Sequence, residues 1–289
     1  MIYLALSILF SSLNLWIFKI FDQQKIDNLQ AIVFNYFTCV FVGLLLSDVS
    51  IAPTTIIDKP WFLFSIGLGV LFIVGFNLIA ATTQKAGVSI ASVSSKVSMI
   101  LPIIIAVSFY GDSFSIIKLV GITIAFVSII FTSIKSADDL KNLKTVFLLP
   151  FLVWLSSALI EVILDYVERF AIEPEEYPLF LIVNFGLAGV LGLIYLIFIS
   201  IKNKQTITAK NFIAGLILGV PNYFSIYFLL YALNQADFGS SAVFPLNNIG
   251  IVLLSIFGSI LFFKEKLTKY NWIGVALAVL AIVLIGFWG

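Results

Sequence analysis

Residues 88–109 read VSIASVSSKVSMILPIIIAVSF, a run in which Lys96 is the only charged side chain. Coiled as a helix at 1.5 Å per residue it is about 33 Å long, enough to cross the hydrocarbon core of a bilayer. It lacks the apolar/polar alternation of an outer-membrane strand, so a helix and not a barrel is implied. Lys96 sits about 12 Å from the start of the run, among Ser92, Ser94, Ser95 and Ser98. A lysine at that depth costs roughly 2.5 to 3.5 kcal/mol on insertion scales, so it needs a partner or water.

Working outward, nine more runs have the same character: residues 2–18, 29–46, 61–82 and 116–134 in the first half, and 147–167, 178–199, 212–233, 240–263 and 270–287 in the second. The opening run has no basic leader or small-residue cleavage site and is read as a retained span. Of the 289 residues 61% are apolar and 11% charged, and the mean hydropathy is +1.15, which a solvated surface does not sustain. Ten spans of about 20 residues leave no room for a soluble catalytic domain. The fold class expected is an all-α integral membrane protein of ten transmembrane helices.

A net charge of +1 offers no basic field, so nucleic acid is not an expected partner. The chain has no histidine, which excludes histidine zinc sites, Ser-His-Asp triads and imidazole shuttles. The single Cys39 is read as a small packing residue. There is no phosphate-binding glycine-lysine loop, no cofactor is expected, and the chain is not expected to be an enzyme.

The two halves repeat. Ser11-Ser12 aligns with Ser156-Ser157, Asn35 and Gly43 with Asn184 and Gly192, and Ala81 and Gln84 with Ala232 and Gln235. Asp112, Gly121 and Ala125 then align with Glu265, Gly274 and Ala278. Collinear matches over five paired spans indicate a duplication, residues 1–145 followed by 146–289. An odd number of spans per copy makes the repeat inverted, an architecture of secondary transporters.

These residues resemble the drug/metabolite transporter superfamily in its ten-helix EamA-type form, over nearly the whole chain. The resemblance rests on an acid after the fourth and ninth spans, Gly111-Asp112 and Lys264-Glu265, each followed by a glycine that opens the next span, Gly121 and Gly274. Asp112 and Lys264 depart from the usual Gly-Glu pair, so each copy keeps half of it. The resemblance implies a transporter without ATPase machinery and a central cavity lined mainly by spans other than the fifth and tenth. It names no substrate.

Within the spans, the candidates for solute binding or coupling are Lys96, Glu161 and Asp165, with Asn14, Asn222, Tyr223, Asn247 and Asn248 behind them. Glu161 and Asp165 are four apart and share a helix face, on which Glu168 continues the stripe. Lys96 is read either as holding an anionic solute group or swapping partners with Glu161 or Asp165, or as half of a fixed ion pair that only stitches two helices together. In the first reading a carboxylate carries a coupling proton. Asp165 and Glu168 lie near enough to the interface to snorkel. Pro102, Pro221 and Pro245 are hinge candidates, equally readable as tolerated membrane prolines. Gly215 and Gly219 have the small-xxx-small spacing of close helix packing.

The expected partners are a lipid bilayer, a small solute and protons, in a monomer or homodimer. A channel or scramblase of the same architecture is the alternative. An excess of lysine over arginine hints at an AT-rich bacterial genome, and so at the bacterial cytoplasmic membrane. Connections one, three, five, seven and nine hold most of the lysines, which by the positive-inside rule makes them cytoplasmic. The family resemblance implies the opposite orientation, and the even span count fixes only that the termini share a side.

Overall fold

The computed structural model describes residues 2–46, 56–109, 115–134, 143–204, 206–234 and 240–287. Gly111, Asp112 and Gln235 of the repeat alignment lie outside the described residues. The helices are α1 (Ile2–Gln23), α2 (Asn28–Leu46), α3 (Phe62–Lys85), α4 (Val88–Lys96), α5 (Ile100–Phe109) and α6 (Ile116–Ser133). They continue as α7 (Leu143–Phe170), α8 (Tyr177–Asn203), α9 (Ala209–Asn234), α10 (Ser240–Phe263) and α11 (Lys269–Phe287). With α4 and α5 making one span, ten segments are long and apolar enough to cross a membrane, and no strand occurs among the described residues.

Burial runs opposite to that of a soluble protein. Leu63, Ile116 and Ile201 are 76%, 77% and 75% exposed, whereas Ser7, Ser12, Asn35 and Ser65 are fully buried. Such faces suit a lipid solvent, in which apolar side chains gain nothing by turning inward and hydroxyls do.

Several helices outrun their apolar windows, because the helix continues into the headgroup zone until a backbone signal stops it. α8 runs to Asn203 and stops at Lys204, whose φ of 52° is left-handed. α7 begins at Leu143, so Pro150 stands inside the helix.

The chain divides into two compact units: residues 1–20, 78–158 and 224–289, and residues 21–77 and 159–223. In the first unit α6 packs along α11 and α4 along α10. In the second, α2 packs along α8. Each pair joins a span to its counterpart in the other half: fifth with tenth, fourth with ninth, second with seventh.

All three pairs are antiparallel. A Cβ on Gly121, near the start of α6, would fall 2.6 Å from Ile285 Cγ1 at the end of α11. One on Gly274, near the start of α11, would fall 2.4 Å from the Thr132 amide nitrogen at the end of α6. In α2 and α8, Gly43 meets Ile182 and Gly192 meets Val33. Equivalent helices lying antiparallel means that the halves cross the membrane in opposite senses. The two glycines of the family pattern are thus where the fifth and tenth spans touch.

In the second unit α9 lies against α2. A Cβ on Gly215 would fall 2.6 Å from the Ala31 carbonyl oxygen and one on Gly219 2.7 Å from that of Asn35, so the small-xxx-small face is used within the chain. Cys39 is buried at this contact, its thiol 3.4 Å from the Gly219 carbonyl. At the entry to α8, Glu176 binds Lys59 and accepts a 2.9 Å bond from Trp61 Nε1.

Burial pushes the Glu176 carboxyl up, but the Lys59 and Trp61 hydrogen bonds and the lysine charge outweigh it and hold the group below its ordinary value of 4.5. A depressed folded value stabilises the corner above pH 4.5, and that stabilisation is lost as pH falls through the lower folded value. Thermal melts of Glu176→Gln are therefore expected to lie below wild type at pH 7 and to converge on it under acid. A constant gap across the titration would exclude this linkage.

Candidate functional site

The fourth span breaks in mid-course. α4 ends at Lys96, residues Val97–Met99 form a single 3-10 turn, and α5 resumes at Ile100. The cause is local: Pro102 has no amide to donate to Ser98, and its ring crowds that carbonyl. Serines reinforce the distortion, because Ser95 Oγ donates back to Ser92 O at 3.1 Å and Ser98 Oγ to Ser95 O at 2.5 Å. Pro221 and Pro245, in contrast, lie within unbroken stretches of α9 and α10.

Lys96 is the final residue of α4 and is half-buried. A helix C-terminus carries partial negative charge, which complements an ammonium placed there. On the facing helix Asn248 Nδ2 donates to Met99 Sδ, in the 3-10 turn, at 3.6 Å. One helical turn before Ile251, which clusters with Leu15, Val88 and Ala91, lies Asn247. Asn247 Oδ1 and Asn14 Oδ1 are buried and accept no hydrogen bond among the described residues, nor do the hydroxyls of Ser89 and Ser94 make one. Buried polar atoms of this kind cost about 1–3 kcal/mol each unless water or a solute satisfies them.

Aromatic side chains line the same face of α1 on which Asn14 sits. Phe10 lies 5.6 Å from Phe224 and 5.7 Å from Phe228, and Tyr3 lies 5.5 Å from Tyr231, centroid to centroid. Tyr3, Ser7, Phe10 and Asn14 follow a helical spacing of three and four, which is the signal by which this face was open to sequence reading.

At one end of the α4·α10 pair, Glu265 Oε2 accepts from the Val88 amide at 3.2 Å and so caps α4. Gly87 precedes it at φ 118°, and a Cβ there would fall 2.2 Å from Glu265 Oε1. The acid singled out in the sequence is therefore a helix cap reaching from the ninth span to the fourth. In mid-pair, Ser255 Oγ donates to Ser92 Oγ at 2.8 Å.

A scan of family models matches residues 1–134 and 145–287 to one description, the EamA-like transporter family, once for each half. The chain belongs to the EamA-like transporter family. It is 29% identical, over 276 residues covering 91% of this chain and 90% of the relative, to an uncharacterized protein of Haemophilus influenzae. A solved crystal structure shares the fold with a TM-score of 0.56 over 98% of this chain and 99% of its own, at 13% identity. The protein is thus a multi-pass membrane protein of a transporter family.

The family pattern also explains Lys264. It follows α10 with φ 53°, left-handed, at the place where the usual pair has glycine. A non-glycine residue there is strained by roughly 1–2 kcal/mol. Lys264→Gly is expected to raise the unfolding temperature in detergent, by the equivalent of about 1 kcal/mol, and Lys264→Val to lower it. An unchanged Lys264→Gly melt would show that the lysine is unstrained.

The remaining candidates lie in the second unit. Glu161 is half-buried on α7. Asp165 accepts a 3.0 Å bond from Arg169 Nε one turn on, an ion pair within one helix. Asn222 Nδ2 donates to Asn35 Oδ1 at 3.1 Å and to Cys39 Sγ at 3.6 Å, so its amide serves the packing of α9 on α2. Tyr223 is 2% exposed and abuts Gly43.

Proposed function

We propose that the protein is a secondary transporter that moves a small metabolite, amino-acid-like or amphipathic solute across the bacterial cytoplasmic membrane by alternating access. The observation that carries this reading is the break in the fourth span directly after Lys96. Discontinuous helices in membranes mark the places where backbone groups and half-helix ends face a solute or ion. Lys96 takes an anionic group of the solute, Asn14, Asn247 and Asn248 supply neutral hydrogen bonds, and the aromatic face of α1 receives the apolar part. Glu161 is the carboxylate assigned to a coupling proton. The hinge for the conformational exchange is the 3-10 turn before Pro102, where the missing proline amide leaves one helical hydrogen bond fewer to break on bending.

Protein reconstituted in liposomes and screened against pools of labelled metabolites is expected to show saturable flux with counterflow for one of them. Flux that rises linearly with concentration and shows no counterflow would replace the carrier by a channel or scramblase.

A further inference from the structure

We propose, resting on the transporter reading above, that the Trp154 indole N–H is a second donor to the anionic group held by Lys96, and that this group is the carboxylate of a monoanionic, largely apolar solute. Trp154, on α7, is 7% exposed, and its Nε1 is buried and finds no acceptor among the described residues. Its ring lies 5.0 Å from that of Phe126 and stacks 5.6 Å from that of Phe151, centroid to centroid. It belongs to the core cluster of the first unit that also holds Val93, Val97 and Ile100. Those three stand on either side of the break in the fourth span, and Val93, Lys96 and Val97, three and four apart, share one face of it.

As packing alone, position 154 gains nothing from a nitrogen. Phenylalanine, the residue at 126, 147 and 151 around the same cluster, fills apolar space and leaves no donor to satisfy. An N–H shut away from water without an acceptor is costly, and no lipid tail relieves it. Indole nitrogen only donates, so what answers it is an acceptor atom.

Charge and geometry narrow that acceptor to a class. Lys96 is the only charged side chain in residues 88–109, and a monoanion balances it. A phosphate monoester, at a charge of about −1.5 to −2, leaves negative charge uncompensated where the dielectric is low. An ammonium has three donors, enough to keep a protein contact and still meet a solute oxygen. A carboxylate has two oxygens, one for the ammonium and one for the indole, so the pair sets its orientation as well as its charge. The rings of Trp154, Phe126 and Phe151 suit an apolar body on the solute.

The test uses the full chain purified in detergent, with nitrogen-15 at the indole nitrogens of its five tryptophans. Trp154 is assigned by the signal missing from Trp154→Phe, a variant that keeps an aromatic ring and loses the donor. The probes are phenylacetate, its neutral amide phenylacetamide and the dianion phenyl phosphate. Phenylacetate is expected to raise the melting temperature and to move the Trp154 N–H signal downfield, the mark of a new hydrogen bond to a charged oxygen, and the other two to do neither. Trp154→Phe without probe is expected to melt at or above the wild-type temperature and to bind phenylacetate about tenfold more weakly. Should it fold poorly, the shift is read on wild type, with Trp154 assigned by elimination through phenylalanine variants of the other four tryptophans. A Trp154 signal unmoved by phenylacetate, tighter binding of either other probe, or a Trp154→Phe variant that binds phenylacetate as wild type does overturns the proposal. Saturable counterflow of another solute beside an unmoved Trp154 signal overturns it alone and leaves the carrier standing. Phenylacetate bound at Trp154 with flux that never saturates supports the indole contact and removes the carrier.

Discussion

Lys96→Ala is expected to insert, fold and melt like wild type, or slightly better, and to lose solute flux on the order of a hundredfold. The two halves of this expectation have one source. Burying an ammonium in a span costs roughly 2.5 to 3.5 kcal/mol, a cost that its removal recovers and that offsets the loss of the contacts the ammonium makes. Transport responds differently, because a solute anion left without its counter-charge in a low-dielectric site forfeits about 3 kcal/mol, which is roughly two decades. Lys96→Arg keeps the charge but replaces a compact ammonium with a planar fork, and an intermediate rate is expected. Glu161→Gln is expected to abolish proton-driven accumulation while leaving counterflow, since exchange of solute for solute moves no net proton. Both variants transporting at the wild-type rate would remove these residues from the mechanism.

The second large effect belongs to Gly274. A Cβ there would meet the Thr132 amide nitrogen at 2.4 Å and the Ser128 carbonyl oxygen at 2.9 Å, both backbone atoms that no rotamer change can move aside. Gly274→Leu therefore pushes α11 off α6 along the contact that joins the fifth and tenth spans. Overpacking commonly costs 1–3 kcal/mol, and a clash with backbone belongs at or above the upper end. Size-exclusion chromatography of the detergent-purified variant is expected to show aggregate where wild type elutes as one species. Gly67 supplies the contrast, for a Cβ on it meets nothing within 4 Å. Gly67→Ala is expected to be neutral or to stabilise α3 by about 0.5–1 kcal/mol through helix propensity. Equal behaviour of the two variants would refute the packing argument.

Much of the architecture was legible from residue order. Apolar runs of bilayer length report the solvent each segment needs, a property of the segment alone, and so the number of spans follows from hydropathy. The collinear Gly121/Gly274 and Ala125/Ala278 matches reported the duplication for a related reason. Helix contacts as close as that between α6 and α11 admit only small residues, whichever copy they occur in. The candidate site was legible in its ingredients. Lys96 stands out because a charge in lipid needs a reason, and Pro102 because it lacks an amide.

The partners of those ingredients were not. That α4 ends at Lys96 depends on Pro102 crowding Ser98 and on serine hydroxyls bonding backward, while the same residue type at 221 and 245 leaves its helix intact. Glu265 read as one acid in a family pattern, and only the packed pair shows it capping a helix that begins 177 residues earlier in the chain. Lys19, Lys85 and Lys266 were border charges of three connections until folding gathered them round one cleft. Solvent preference is written into each side chain and adds up locally along the chain. Caps, breaks and clefts depend on which distant backbone arrives within about 3 Å, and that is settled only when all the helices pack at once.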